Sequence, residues 1–125
     1  DFHVKLYEKS PVKRAFLKSV SDRLSLKIEV FGNVYLHSID SDYIVSRAFK
    51  KFESVIQVSR EIAKKPHKLI VLKGQNAHKD LKKAFKKEKY DYKLENSITN
   101  EDSKIIIVDF KKWRQQFQWL IKKVE

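Results

Sequence analysis

Hydrophobic and polar residues alternate at the start of the chain, a pattern typical of a β-strand with one buried face. Residues 3–8 follow this alternation and end on the carboxylate of Glu8. Ser10-Pro11 comes next, a pair typical of a helix start with serine at the N-cap and proline at the first helical position. Apolar residues then recur every four positions, so we predict an amphipathic helix over residues 11–24. Its apolar residues are Val12, Phe16, Val20 and Leu24.

Along the rest of the chain, stretches with the apolar pattern of a strand alternate with stretches that have apolar residues at helical spacing. Alternating or continuous apolar runs predict strands, and apolar residues at helical spacing predict helices. Pro66 ends the helix that precedes it, since proline does not continue a helix. The further predicted strands are residues 26–31, 43–45, 69–72, 90–94 and 105–110, and the further helices are about 50–64, 77–85 and 113–124.

The order of these elements predicts an α/β fold. Strands that alternate with helices indicate a mostly parallel sheet with helices on both faces. The continuous apolar run over residues 69–72 is typical of a strand buried on both faces. The last two strands are joined by a polar loop without a helix, so we expect them to pair antiparallel at one edge of the sheet.

The amino-acid composition excludes several classes of protein. The 125 residues contain no Cys, which excludes a disulfide scaffold and a thiolate zinc site. No apolar run approaches the roughly 20 residues that a membrane helix needs, and no signal segment opens the chain, so we expect a cytoplasmic protein without a membrane partner. Only two Gly are present, so the chain contains no glycine-rich phosphate loop.

The net charge of +12 has two interpretations. Such an excess attracts nucleic acid, and residues 60–93, with twelve Lys or Arg against four Asp or Glu, hold +8 of it. The other interpretation is compositional, since many Lys, Ile, Tyr, Phe and Asn with few Ala and Gly are what an AT-rich genome encodes. A run of lysines such as that from Lys79 to Lys89 is also often only a solvated helix face.

Polar residues follow several predicted strands, at the edge where open α/β sheets bind ligands. Glu8 is placed to accept hydrogen bonds from the two hydroxyls of a ribose, but it is equally placed to cap its own loop or to pair with Lys9. Arg47 and Lys73 put two cations at the same edge, suited to an RNA phosphate or a substrate carboxylate. For either cation alone, a solvated surface charge is an alternative.

No familiar catalytic group of residues emerges from the chain. Ser46 has no partner that would act as a general base, and the four histidines have neither metal-ligand spacing nor an evident carboxylate partner. We therefore predict no catalytic side chain and no metal, and interpret the histidines as surface or structural residues. Trp113 shares the apolar face of the last helix with Phe117, which favours packing over base stacking.

Three ordered strings resemble one enzyme family. They are EKSPVKRAFL at residues 8–17, IVSRAF at 44–49 and LKGQN at 72–76. Together they are similar to the bacterial small-subunit rRNA guanine-N7 methyltransferase family (RsmG), also called glucose-inhibited division protein B. The strings SRAF and LKGQ, about 25 residues apart, are the most distinctive, and the resemblance covers roughly residues 3–112.

The resemblance implies a Rossmann-like class I methyltransferase fold. It also implies S-adenosylmethionine as cofactor and 16S rRNA or the small ribosomal subunit as substrate, methylated at N7 of one guanine (guanine 527 in the family). A monomer is expected. By position, the cofactor-binding residues are Glu8 near the ribose, Asn33 and Val34 near the adenine, and Arg47 at the rim. The family has Glu beside the adenine where this chain has Asn33-Val34, so backbone groups or the Asn33 amide are expected to substitute. The RNA-binding residues expected are Lys73, Arg14, Lys50 and Lys51.

The same resemblance implies that the family's first strand and glycine-rich loop precede this chain. We therefore expect residues 1–112 to be the C-terminal part of a methyltransferase domain, inactive alone, with a helical extension over 113–125. The missing strand would lie between the strands at 4–7 and 43–45. Two other functions stay open: a non-enzymatic RNA-binding module that uses the basic stretch 60–93, and a methyltransferase of the same fold with a small-molecule substrate.

Overall fold

The protein is an α/β molecule in the computed structural model, which describes residues 2–47, 51–86 and 90–110. Contacts divide the chain into two compact units, residues 1–38 and residues 39 onward. The predicted order of strands and helices is confirmed throughout the described residues. The elements are β1 (Val4–Tyr7), α1 (Pro11–Arg23), β2 (Ile28–Phe31), a short 3₁₀ helix (Val34–Leu36), β3 (Tyr43–Arg47), α2 (Phe52–Ile62), β4 (Lys68–Lys73), α3 (Ala77–Ala84), β5 (Asp91–Asn96) and β6 (Lys104–Asp109).

The first unit is a β–α–β crossover. β1 and β2 pair in parallel with Tyr7 beside Phe31, and α1 connects them. The helix begins as its sequence predicts, because the Ser10 hydroxyl oxygen accepts a hydrogen bond from the Lys13 amide at 3.4 Å and Pro11 occupies the first turn. After the helix, Ser25 takes a left-handed φ of 53°, which turns the chain back toward β2.

The apolar row of α1 is less covered than its periodicity suggests. Val12 is 80% exposed and Phe16 is 67% exposed. The period of a sequence shows which side of a helix is apolar, but burial also needs a surface of matching size. The sheet of this unit has two strands, so it offers α1 only a narrow surface.

The second unit contains a four-stranded sheet in the order β3-β4-β6-β5. β3 and β4 are parallel, whereas β6 runs antiparallel to both β4 and β5. This confirms the predicted antiparallel edge, with β5 outermost. β1 and β3 each have one hydrogen-bonded neighbour among the described strands, β2 and β4 respectively.

The core of the second unit lies on one face of this sheet. Leu69 and Val71 of β4 are fully buried there, and α2 and α3 pack over them. On the opposite face Leu72 is 45% exposed and Val45 is 65% exposed. The prediction that residues 69–72 are buried on both faces is therefore wrong for one face, because both described helices of this unit supply their buried residues to the same cluster. The core residues from the two helices are Phe52, Val55, Ile56, Ala77 and Leu81.

Candidate functional site

Glu8 stands directly after β1, at the carboxyl end of the parallel pair. Its amide donates a hydrogen bond to the Phe31 carbonyl oxygen at 3.0 Å, which extends the pairing with β2 by one residue. Its carboxylate oxygen Oε1 accepts from the Ser10 amide at 3.1 Å. The loop-capping alternative is thus confirmed for Oε1. Each carboxylate oxygen accepts about two hydrogen bonds, so this bond leaves acceptor capacity on the Glu8 carboxylate for a ligand.

Asn33 and Val34 leave β2 at the same end of the pair. The Asn33 side-chain oxygen accepts from the Tyr35 amide at 3.0 Å and so caps the 3₁₀ helix that begins at Val34. Both residues are half-buried. Because the oxygen of Asn33 is engaged within the chain, its NH₂ group is the part of the amide that a ligand would meet.

Arg14 turns toward the same loop instead of away from the molecule. Its Nη1 atom donates to the Glu8 carbonyl oxygen at 2.9 Å and to the Lys9 carbonyl oxygen at 2.8 Å. The sequence places Arg14 on the surface of an amphipathic helix, where we expected it to bind RNA. That role stays a prediction, and the contacts with the loop are a feature that the sequence pattern does not reveal.

Arg47 and Lys73 end the two parallel strands of the second unit, as the sequence predicts. The register pairs Arg47 with Leu72, the residue before Lys73. Since side chains alternate between the faces of a strand, Arg47 shares the more open face with Leu72, whereas Lys73 points to the face that α2 and α3 cover. The two cations therefore lie at one edge but on opposite faces of the sheet.

Lys73 is engaged in an ion pair that sequence analysis missed. Its Nζ atom lies 2.6 Å from Oδ2 of Asp80, in the first turn of α3, and the two side chains are only 14% and 28% exposed. Lys73 is thus ion-paired and is not a solvated charge, and its role as an RNA ligand stays a prediction. A signal for the pair existed: an acidic residue in the first turn of a helix, seven residues after a lysine that ends a strand.

Of the two remaining predicted RNA ligands, Lys51 is the one that the structure describes. It is the N-cap residue of α2 and is exposed. Lys50 lies outside the described residues, as does the helix predicted over residues 113–124.

A buried serine–histidine pair lies at the amino end of β4, away from the carboxyl edge. His67 is 3% exposed and its Nε2 atom is 3.0 Å from the hydroxyl oxygen of Ser59, while Nδ1 is 3.2 Å from the Lys65 carbonyl oxygen. Burial lowers the pKa of His67 below its usual range, although the Lys65 carbonyl and the Asp109 charge oppose that shift. The interpretation of His67 as a structural residue is confirmed.

An open cavity of about 350 Å³ adjoins this pair at the amino ends of β3 and β4. The predicted cofactor and RNA ligands do not line it; its lining residues are Asp42, Tyr43, Pro66, His67, Lys68 and Asp109. Within the described ranges, no three His, Asp or Glu side chains are grouped as a metal site. No described helix is long and apolar enough to cross a membrane.

Comparison with curated proteins identifies two relatives that share one description. The chain is 36% identical over 102 residues to ribosomal RNA small subunit methyltransferase G of Pelagibacter ubique, covering 80% of this chain and 48% of the relative. It is 27% identical over 105 residues to the protein of the same description from Orientia tsutsugamushi, covering 83% of this chain and 52% of the relative. The chain therefore spans about half the length of the curated relatives it matches.

Solved structures show the same fold at low sequence identity. A putative SAM-dependent methyltransferase from Streptococcus mutans matches with a TM-score of 0.60 at 13% identity, covering 86% of this chain and 38% of that one. A methyltransferase from Geobacter sulfurreducens also gives 0.60, at 9% identity, with coverage of 86% and 58%. These likenesses confirm the Rossmann-like methyltransferase fold. The family model described as GidB, rRNA small subunit methyltransferase G, matches residues 1–111, and the chain therefore belongs to this family.

Proposed function

We propose that the protein of which this chain forms at least a part transfers a methyl group from S-adenosylmethionine to N7 of one guanine in 16S rRNA. The observation that supports the proposal most is the family match over residues 1–111. Glu8 supports the cofactor assignment, because this family member places a carboxylate at the carboxyl end of a parallel strand. That is the position from which carboxylates in α/β folds accept hydrogen bonds from ribose hydroxyls.

The residues of the first unit suit the adenosine part of the cofactor. The Glu8 carboxylate is an acceptor-only group, which matches the two donor hydroxyls of a ribose. The Asn33 NH₂ group is a donor that matches an acceptor nitrogen of adenine, and the half-buried Val34 offers an apolar contact for the ring. In place of the family's Glu near the adenine, the Asn33 amide supplies the polar contact. Arg47 is proposed as the cofactor contact of the second unit.

The proposed reaction depends more on the positions of the guanine and the methyl group than on proton transfer. When bound, S-adenosylmethionine supplies a methyl group on a positively charged sulfur. N7 of guanine already carries a lone pair, so no side chain has to remove a proton before the bond forms. The protein's contribution is to hold nucleophile and methyl group in line, which supplies several kcal/mol of the barrier in reactions of this kind. No residue is assigned as a general base.

Exposed lysines support an RNA substrate. Lys79, Lys82 and Lys86 on and after α3 are exposed. The acidic residue of that helix, Asp80, is paired with the half-buried Lys73 and does not neutralise them. A row of exposed cations that Asp80, the carboxylate of the described helix, does not pair with suits an RNA backbone. We propose that Lys51, Lys50, Lys73 and Arg14 also bind RNA, in a cytoplasmic protein that acts as a monomer without a metal.

The exposed α3 lysines also favour a second candidate, a non-enzymatic RNA-binding module. That module would bind RNA with the same salt dependence as the proposed methyltransferase but would transfer no methyl group. Since the chain spans about half the length of its relatives, we further propose that these 125 residues alone bind the cofactor weakly and are inactive without the remaining part of the family's length.

The cofactor assignment is tested on the complete product of the gene that encodes this chain. Calorimetric titration with S-adenosylhomocysteine should show that Glu8→Gln lowers affinity by about tenfold or more, because the amide replaces one acceptor oxygen by a donor. Glu95→Gln, an equal change at an exposed residue of the edge strand β5, should leave affinity unchanged. Unchanged affinity in Glu8→Gln would show that Glu8 does not bind the ribose.

A further inference from the structure

The loop of residues 8–10, called here the Glu8 loop, is held by hydrogen bonds from its backbone amides at its start and within it. These are separate from the hydrogen bonds of the Arg14 side chain. At its start the Glu8 amide donates to the Phe31 carbonyl oxygen at 3.0 Å, which ties the loop to the end of β2. Within the loop, the Ser10 amide donates to Glu8 Oε1 at 3.1 Å, which orients the carboxylate. Neither contact engages the carbonyl oxygens of the loop, which face the helix.

Arg14 supplies the donors for those carbonyls. Its Nη1 atom lies 2.9 Å from the Glu8 carbonyl oxygen and 2.8 Å from that of Lys9. Hydrogen bonds from a charged donor are about twice as strong as neutral ones. The backbone of Arg14 is itself fixed, because its amide donates to the Ser10 carbonyl oxygen at 2.9 Å in the first turn of α1. The side chain therefore connects the rigid helix to the loop.

The guanidinium also lies against the end of the second strand. A Cβ placed on Gly32 would be 3.6 Å from Arg14 Nη1 and 3.9 Å from its Cζ. Arg14 is half-buried as a residue, and its guanidinium lies near both the Glu8 loop and Gly32, the residue that follows β2. It is thus in contact with both segments that carry the proposed adenosine ligands.

We propose that Arg14 is a positioning residue for cofactor binding, which holds the Glu8 loop so that the Glu8 carboxylate stays at the carboxyl end of β1. The role rests on the proposed function, in which Glu8 accepts hydrogen bonds from the ribose. Arg14 acts through Glu8 and needs no contact with the cofactor. Its neighbour Lys13, which is exposed and engages the loop through its backbone amide, is a matched control.

The first test needs no ligand and uses the complete product of the gene that encodes this chain. Because the Ser10 amide donates to Glu8 Oε1, its hydrogen should exchange with solvent more slowly than that of an unbonded amide. Glu8→Ala removes the acceptor and should abolish this protection, whereas Lys13→Gln should preserve it. Arg14→Gln should lower the protection by about fivefold or more, since the loop is no longer held. Protection in Arg14→Gln equal to that of the unaltered protein overturns the inference.

The second test measures affinity for S-adenosylhomocysteine in the complete gene product. Arg14→Gln should weaken binding by about tenfold, Arg14→Lys should recover part of the loss, and Lys13→Gln should bind normally. In the Glu8→Gln background, adding Arg14→Gln should cause little further loss, because Arg14 acts through Glu8. The free energy of unfolding of each variant separates weak binding from a folding defect.

The outcomes separate this inference from the proposed function. If Glu8→Gln weakens binding and Arg14→Gln does not, the role of Arg14 is wrong and the ribose assignment stands. If neither variant weakens binding, the ribose assignment is wrong, while the hydrogen exchange of the Ser10 amide still decides whether Arg14 orders the loop. If the two losses are fully additive, Arg14 acts independently of Glu8 and the inference is overturned.

Discussion

At the scale of single residues, His67 is a buried group whose protonation should affect folding. Its burial lowers its pKa in the folded chain, so below about pH 6.5 the unfolded chain binds more protons than the folded one. The free energy of unfolding should therefore fall as the pH drops from about 6.5 toward the lower pKa of the folded state. Above that window the contribution is constant.

Denaturant unfolding between about pH 5 and 7 measures this dependence. His67→Gln should lose most of the slope that the unaltered chain shows in this range. His78→Gln is the matched control, since His78 is exposed, and it should keep the slope. A slope in His67→Gln as steep as that of the unaltered chain would show that His67 does not titrate with a lowered pKa.

Site residues differ in how far the sequence could predict them. Glu8 and Asn33 follow strands, and the strand pattern alone places them at the carboxyl edge. The inward hydrogen bonds of Arg14 were not predictable, because helical spacing assigns a residue to a side of the helix and does not say whether a long side chain reaches back to its own loop. Asp80 was missed for a similar reason: its partner Lys73 lies on another element.

At the scale of elements, the Lys73–Asp80 pair connects the end of β4 to the start of α3. Asp80→Asn leaves the largely buried Lys73 ammonium without its carboxylate, so we expect a loss of about 1–3 kcal/mol in the free energy of unfolding. Glu53→Gln is the matched control, because Glu53 and Lys83 are exposed and 3.9 Å apart; its effect should stay within about 0.5 kcal/mol. Equal losses in the two variants would contradict a structural role for the buried pair.

The lysines of α3 make a separate prediction about RNA. If they contact phosphates, Lys79→Gln combined with Lys82→Gln should weaken binding of a short RNA hairpin and reduce the slope of log affinity against log salt by about 2. Lys13→Gln combined with Lys18→Gln removes the same charge from exposed positions on α1. Fluorescence anisotropy across a salt series measures both. The same loss from both pairs would show that the binding reflects net charge alone.

The elements themselves were largely predictable, and their burial was less so. The antiparallel β5–β6 pair followed from a polar loop without a helix between the two strands, and the buried face of α2 followed from its period. The exposed apolar row of α1 did not, because a period identifies an apolar side without showing what covers it. For the same reason the apolar run in β4 predicted two buried faces where the structure has one.

At the scale of the whole molecule, the net charge and the relatives bear on the proposed substrate and activity. The net charge of +12 suits an RNA partner, and two-thirds of it lies in the stretch that contains α3. The fold and the family are assigned, whereas the chain spans about half the length of its curated relatives. The proposed activity is therefore measured on the complete gene product to which these residues belong.

The most direct test is labelled methyl transfer from S-adenosylmethionine to small ribosomal subunits by the complete gene product. Nuclease digestion and mass spectrometry then identify the modified nucleoside. The proposal predicts N7-methylguanosine at a single site in 16S rRNA, with slower transfer by Glu8→Gln at subsaturating S-adenosylmethionine and none by these 125 residues alone. A label on another base or atom, or salt-dependent RNA binding without any transfer, would contradict it.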